Sequence, residues 1–268
     1  MYWKWGIAIE QSQLTGPEAK NYESVVRMHL EWIEATAVGQ VLLQGIARNV
    51  LNGNAANLAP FKGSVQPGYP TRGVLIQPYL LNKCNATEGS SVVSYTPYTF
   101  QYRRGPCGDH LRSILTNRGI LPSEILFHEL VHALRDAAGH GNRQARLGGG
   151  LTDYHNLEEL IAVVVTNMFM TDPTNRYGTG VQVGMRRSHH HFAKLEVDLS
   201  DSVGFFASSA NMFSMIDQFC REDGWFTKKL ADTKAAFNPL AIYYHQPQQA
   251  RQRSSSLHAV VRDVWPHP

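Results

Sequence analysis

"ILFHELVHALRDAAGH", residues Ile125 to His140, sets two histidines four positions apart in a largely apolar stretch, with a glutamate directly after the first. Four residues is close to one turn of an α-helix. His128 and His132 therefore project from one face, and Glu129 stands about 100° around it. Ile125, Leu126, Leu130, Val131 and Leu134 supply the apolar faces of a buried helix. Titratable side chains are costly in such a helix unless something offsets their desolvation.

Two imidazoles on one face can hold a tetrahedral zinc ion, each nitrogen at about 2.0–2.1 Å. A carboxylate beside that ion can take a proton from water and return it to a leaving amine. H-E-x-x-H on a helix is the pattern of zinc peptidases. In a chain with 12 histidines it arises by chance only about 0.02 times. The competing reading is a core helix carrying two hydrogen-bonded histidines.

A catalytic zinc site needs a third protein ligand and leaves the fourth position to water. "TDYHNLEELIAVVVTNMF", Thr152 to Phe169, places Glu158 and Glu159 on a helix that is otherwise hydrophobic nearly all round. Adjacent residues point about 100° apart, so one of the two faces the metal. The other is a carboxylate near a helix start, where the dipole favours it. His140 and His155 are alternative third ligands, but the spacing H-E-x-x-H-x-x-G-x-x-H is absent.

The rest of the chain bounds the reading. At 268 residues and 43% hydrophobic it can bury a substantial core. A net charge of +3, with Arg103-Arg104 and Arg186-Arg187 as isolated pairs, predicts no nucleic-acid binding. Three cysteines, Cys84, Cys107 and Cys220, form no C-x-x-C pair and no disulfide framework. No apolar run approaches the roughly 20 residues of a membrane span. The opening "MYWKWGIAIEQSQ" lacks a long apolar core before a small-residue cleavage site, so no cleaved signal peptide is expected.

Apolar periodicity from Tyr22 to Val50 predicts helix, broken near Gly39, and Asn52 to Pro70 reads as loop. "RGVLIQPYLL" and "SSVVSYTPYTF" predict short strands, with prolines marking edges or ends. Pro122-Ser123 opens the histidine helix and Gly139 closes it. Further helices are expected over Asn156–Met170, Asn211–Arg221 and Lys228–Phe237. The class expected is α+β, mostly helical with a small sheet beside the H-E-x-x-H helix. The expected division is a helical region over 1–70, a catalytic domain over 71–250 and a weakly structured tail over 251–268.

His128-Glu129-Leu130-Val131-His132-Ala133 followed by Asn156-Leu157-Glu158-Glu159-Leu160-Ile161-Ala162, with Thr166-Asn167, resembles the gluzincin group of zinc endopeptidases. Within that group the chain is most similar to effector and toxin metallopeptidases that bacteria deliver into other cells. A later Arg-x-x-His, Arg186 to His189, resembles a recurring feature of such proteins. The resemblance covers roughly residues 70 to 195. It implies a zincin-like fold and a Zn2+ ion on His128, His132 and Glu159, with Glu129 as general base. Glu159 is preferred to Glu158 because it holds the E-x-x-A spacing to Ala162.

The thermolysin-type continuation E-x-x-x-D is missing, since Val163 occupies its last place. Asp136 or a backbone carbonyl is then the candidate acceptor for a ligand imidazole. Tyr154 and His189 are candidate donors to the developing oxyanion, and an edge strand before Pro106 is a candidate for pairing with an extended substrate.

The resemblance further implies a protein substrate in a target cell, a secretion-system, immunity or chaperone partner, and secretion or delivery without a cleaved signal. Without delivery the chain would be cytoplasmic. Two other readings share the motif: a binding protein on a zincin scaffold without proteolysis, and a zinc hydrolase of a non-peptide amide.

Overall fold

A computed structural model describes residues 4–11, 14–53, 55–61, 70–78, 91–95, 122–141, 156–175 and 202–264. The chain divides into two compact units, Met1–Gly141 and Asn142–Pro268. Among the described residues there are eight α-helices and a small mixed sheet.

In the first unit, strand β3 (Arg72–Gln77) is the centre of the sheet. Strand β1 (Ile7–Ile9) pairs with it in parallel, Ile7 opposite Val74 and Ile9 opposite Ile76. Strand β4 (Val92–Ser94) is also parallel to it, Leu75 opposite Val92, and the short β2 (Ala59–Pro60) is antiparallel, Ala59 opposite Gly73. Val74, Leu75 and Ile76 are all buried, as befits a central parallel strand covered on both faces. Pro78, which lacks an N–H, follows directly after Gln77 and cannot extend the ladder.

Helix α1 (Gly16–Glu34) buries Tyr22, Val26, Leu30 and Ile33, one stripe at helical spacing. Helix α2 (Ala37–Asn52) begins at Thr36, whose Oγ1 accepts the Gly39 N–H at 2.9 Å. The break between the helices is thus set by the Thr36 cap, and Gly39 lies inside α2. Glycine is needed there because a Cβ would collide with the Ile33 carbonyl oxygen.

Helix α3 (Pro122–Ala138) carries the quoted stretch. It buries Leu126, Phe127, Leu130, Val131 and Leu134. Asn49 of α2 donates from Nδ2 to the Leu134 carbonyl at 3.1 Å. The helix ends as its sequence predicts, at Gly139 with φ 79°. The Gly139 N–H donates to Asp136 O at 3.0 Å and the His140 N–H to Arg135 O at 2.9 Å, a Schellman motif.

The first compact unit runs through residue 70 to Gly141. β1 is hydrogen-bonded into the sheet through β3, and α2 is tied to α3, so residues before 70 share one core with those after it.

In the second unit, helix α4 (Leu157–Met170) starts at Asn156, whose side chain accepts the Glu159 N–H at 2.9 Å. Its C-terminal Thr171 accepts the Phe237 N–H at Oγ1 and the Ala236 N–H at its carbonyl, both at 3.1 Å. Four further helices follow: α5 (Met212–Glu222), α6 (Gly224–Ala231), α7 (Pro239–His245) and α8 (Pro247–Val264). The helix expected over Lys228–Phe237 ends instead at Ala231. Asn238 then caps α7, accepting the Ala241 N–H at 2.9 Å while its Nδ2 donates back to Leu230 O at 3.1 Å.

The tail expected to be weakly structured is helical through Val264. Its polar composition hides a narrow buried seam, Ala250 and Ser254, spaced i, i+4. Ser254 Oγ accepts the Phe213 N–H at 3.1 Å and donates to Phe206 O at 3.0 Å. Among the described residues no helix is long and apolar enough to cross a membrane.

Candidate metal centre

Burial and spacing on α3 bring the two imidazoles together. His128 and His132 are 1% and 5% exposed. Their Nε2 atoms are 3.2 Å apart, with ring planes at 86°. Two nitrogens bound to one tetrahedral zinc at about 2.05 Å stand roughly 3.3 Å apart, so the pair already has the separation such an ion requires. Glu129 is half-buried beside them on α3.

On α4 every residue from Leu157 to Met170 is buried except Glu159. The Asn156 cap fixes this first turn through the Glu159 N–H. Glu159 belongs to a group with the histidines: one ligand atom each from His128, His132 and Glu159 all lie within 4.8 Å of one another. That group is close enough to hold a metal ion. Two imidazole nitrogens and a carboxylate oxygen are a donor set that zinc accepts.

Of the two candidate glutamates, Glu159 is the one in this group, and Glu158 is buried at 1% exposure without belonging to it. His140 is half-buried past the helix end and also stands outside it. Tyr154, His155 and His189, together with Arg186, lie outside the described residues. Asp136 packs against Gly141, too close for that residue to carry a Cβ.

The sequence reading missed two residues of the same α3 face. Glu124 is wholly buried, and Arg135, at 1% exposure, is among the largest fully buried side chains. The signal was available: 124, 128, 132 and 135 follow the i, i+4, i+8, i+11 stripe of one helix face. Arg135 Nη2 donates to the His140 carbonyl at 3.2 Å, so this guanidinium braces the chain leaving the histidine helix.

Comparison of the chain with protein families, curated proteins and solved structures finds no match.

Proposed function

We propose that the protein is a zinc-dependent endopeptidase that cleaves a peptide bond in a target protein. The carrying observation is the convergence of His128 and His132 Nε2 at 3.2 Å with a carboxylate of Glu159 in the same group. His128, His132 and Glu159 hold the ion, which when bound supplies Lewis acidity toward water and a carbonyl oxygen.

Glu129 does the proton work. Its carboxylate, next in sequence to a ligand and half-buried, takes a proton from the attacking water and returns it to the leaving nitrogen. A metal site with a purely structural role has no use for such a base, which favours hydrolysis over a binding scaffold. The fold proposed is zincin-like, in keeping with the small sheet and the histidine helix of the first unit. Delivery into another cell, as an effector or toxin, rests on the likeness of H-E-L-V-H-A and N-x-x-E-x-x-A to such peptidases.

The test is metal analysis of the purified protein beside Glu159→Ala, followed by mass-spectrometric screening of the zinc-loaded protein against peptide libraries. One zinc per chain, greatly weakened in the variant, with internal peptide cleavage by the wild type, is the expected result. Zinc retained by Glu159→Ala removes the ligand assignment. Peptides left intact beside hydrolysed non-peptide amides would shift the substrate class, and no hydrolysis at all would leave a binding protein.

A further inference from the structure

Away from the His128–His132–Glu159 group, a third buried histidine holds the sheet to α1. His29 is 3% exposed, and its Nδ1 shares a 2.8 Å hydrogen bond with the Tyr95 hydroxyl. Tyr22, seven residues earlier on the same face of α1, donates its hydroxyl to the Tyr95 carbonyl at 2.9 Å. The Trp32 ring lies 5.1 Å from the imidazole. Tyr95 is the residue just past β4, and its N–H continues the ladder to Gln77 O at 2.9 Å. Side chain, carbonyl and amide of one residue are thus held at once, by α1 on two sides and by β3 on the third.

We propose that the His29–Tyr95 contact is an acid-labile latch that keeps the end of β4 closed on α1 while the imidazole is neutral. A neutral ring satisfies the phenol at no charge cost, whereas a buried imidazolium there must be hydrated, and hydration requires the strand end to lift. Burial pushes the His29 pKa down from 6.5 to about 4.

The other titratable side chains near α1 do not oppose this. α2 carries Arg48, and α3 carries Glu124, His128, Glu129, His132, Arg135 and Asp136. α1 itself carries Glu18, Lys20, Glu23, Arg27, Glu31 and Glu34, of which Arg27 pairs with Glu23 at 3.1 Å and Glu34 with Lys4 at 2.5 Å. The lowering of the His29 pKa comes from desolvation by burial.

The sign follows from linkage. The folded pKa lies below the unfolded one, so the stabilisation is complete above pH 6.5 and is lost as pH falls toward about 4. With those two values, the equilibrium for opening rises roughly 30-fold between pH 7.5 and pH 5.

Hydrogen exchange, corrected for the intrinsic pH dependence, reads this directly in peptides covering Ser91–Tyr95. Protection there is expected to fall about 30-fold over that range, while peptides of α5 to α8 keep theirs. The fall should appear both with zinc saturating and with a chelator present, which separates it from any loss of metal. His29→Asn, which can hydrogen-bond from a similar position but does not titrate, should abolish the pH dependence. Constant protection of Ser91–Tyr95, a loss shared equally by α5 to α8, or an acid response surviving in His29→Asn would each overturn the latch. If the variant fails to fold, the regional contrast within the wild-type profile still decides.

Discussion

His132 Nε2 stands 3.2 Å from His128 Nε2, on rings set nearly perpendicular at 86°. Two buried nitrogens at that distance can share one proton or one metal ion, and the Glu159 carboxylate of the same group supplies a third donor for an ion. Zinc should therefore stabilise the fold. At a free concentration 100 times the dissociation constant, the gain is about 2.7 kcal/mol. The thermal midpoint of the wild type should rise with zinc, and that of His132→Ala should not. An equal rise in both would mean that zinc binds elsewhere.

Under the proposed function, Glu129 differs from the three proposed ligands in what its replacement removes. Glu129→Gln keeps the size and the hydrogen-bonding capacity but not the base. Zinc stoichiometry should be unchanged, and hydrolysis should slow by about 10²–10⁴-fold, the usual weight of a positioned general base. Stopped-flow or single-turnover cleavage, with metal content measured on the same preparation, checks both halves. A variant that hydrolyses at the wild-type rate would take Glu129 out of the mechanism.

How far the sequence carried this reading depended on how local each signal was. The histidine helix was legible because ligand spacing, apolar faces and the Gly139 stop all lie within one short stretch. The choice of Glu159 over Glu158 needed a family-like spacing, since helical geometry says only that one of two adjacent carboxylates faces the metal. The pairing of β1 with β3 was not legible. Nothing in residues 1–70 announces that β1 adds to β3 in parallel, a pairing between segments more than 60 residues apart. The helical tail was hidden for a different reason: α8 buries the small Ala250 and the polar Ser254, which add little to any hydrophobic pattern.

Gly39 illustrates how a residue read as a helix breaker can be a packing requirement. The Thr36 hydroxyl caps α2 through the Gly39 N–H and also donates to Ile33 O at 2.9 Å, folding the α1–α2 turn tightly against itself. A Cβ at position 39 would meet that backbone carbonyl, which cannot move away as a flexible side chain could. Gly39→Ala, despite alanine's better helix propensity, should lower unfolding free energy by about 1–3 kcal/mol. Denaturant titration gives the answer, and a variant as stable as the wild type would mean that the turn relaxes freely.

Cys220 on α5 offers the reverse test, of a group made inert by its surroundings. It is 6% exposed. Burial first, and then the Asp217 and Asp223 carboxylates, raise its thiol from 9.0 to about 12, against the lowering contacts of Thr227 and Tyr244. A raised acid pKa means that the folded state holds the proton more tightly. The corresponding stability is intact below pH 9 and is lost as pH climbs toward about 12. At pH 8 the native thiolate fraction is about a thousandfold below that of the unfolded chain. Site-resolved mass spectrometry after iodoacetamide treatment should therefore find Cys220 unmodified in native protein at pH 8 and modified once the chain is denatured. Rapid native labelling at this position would show that α5 and α6 open far more readily than their packing implies.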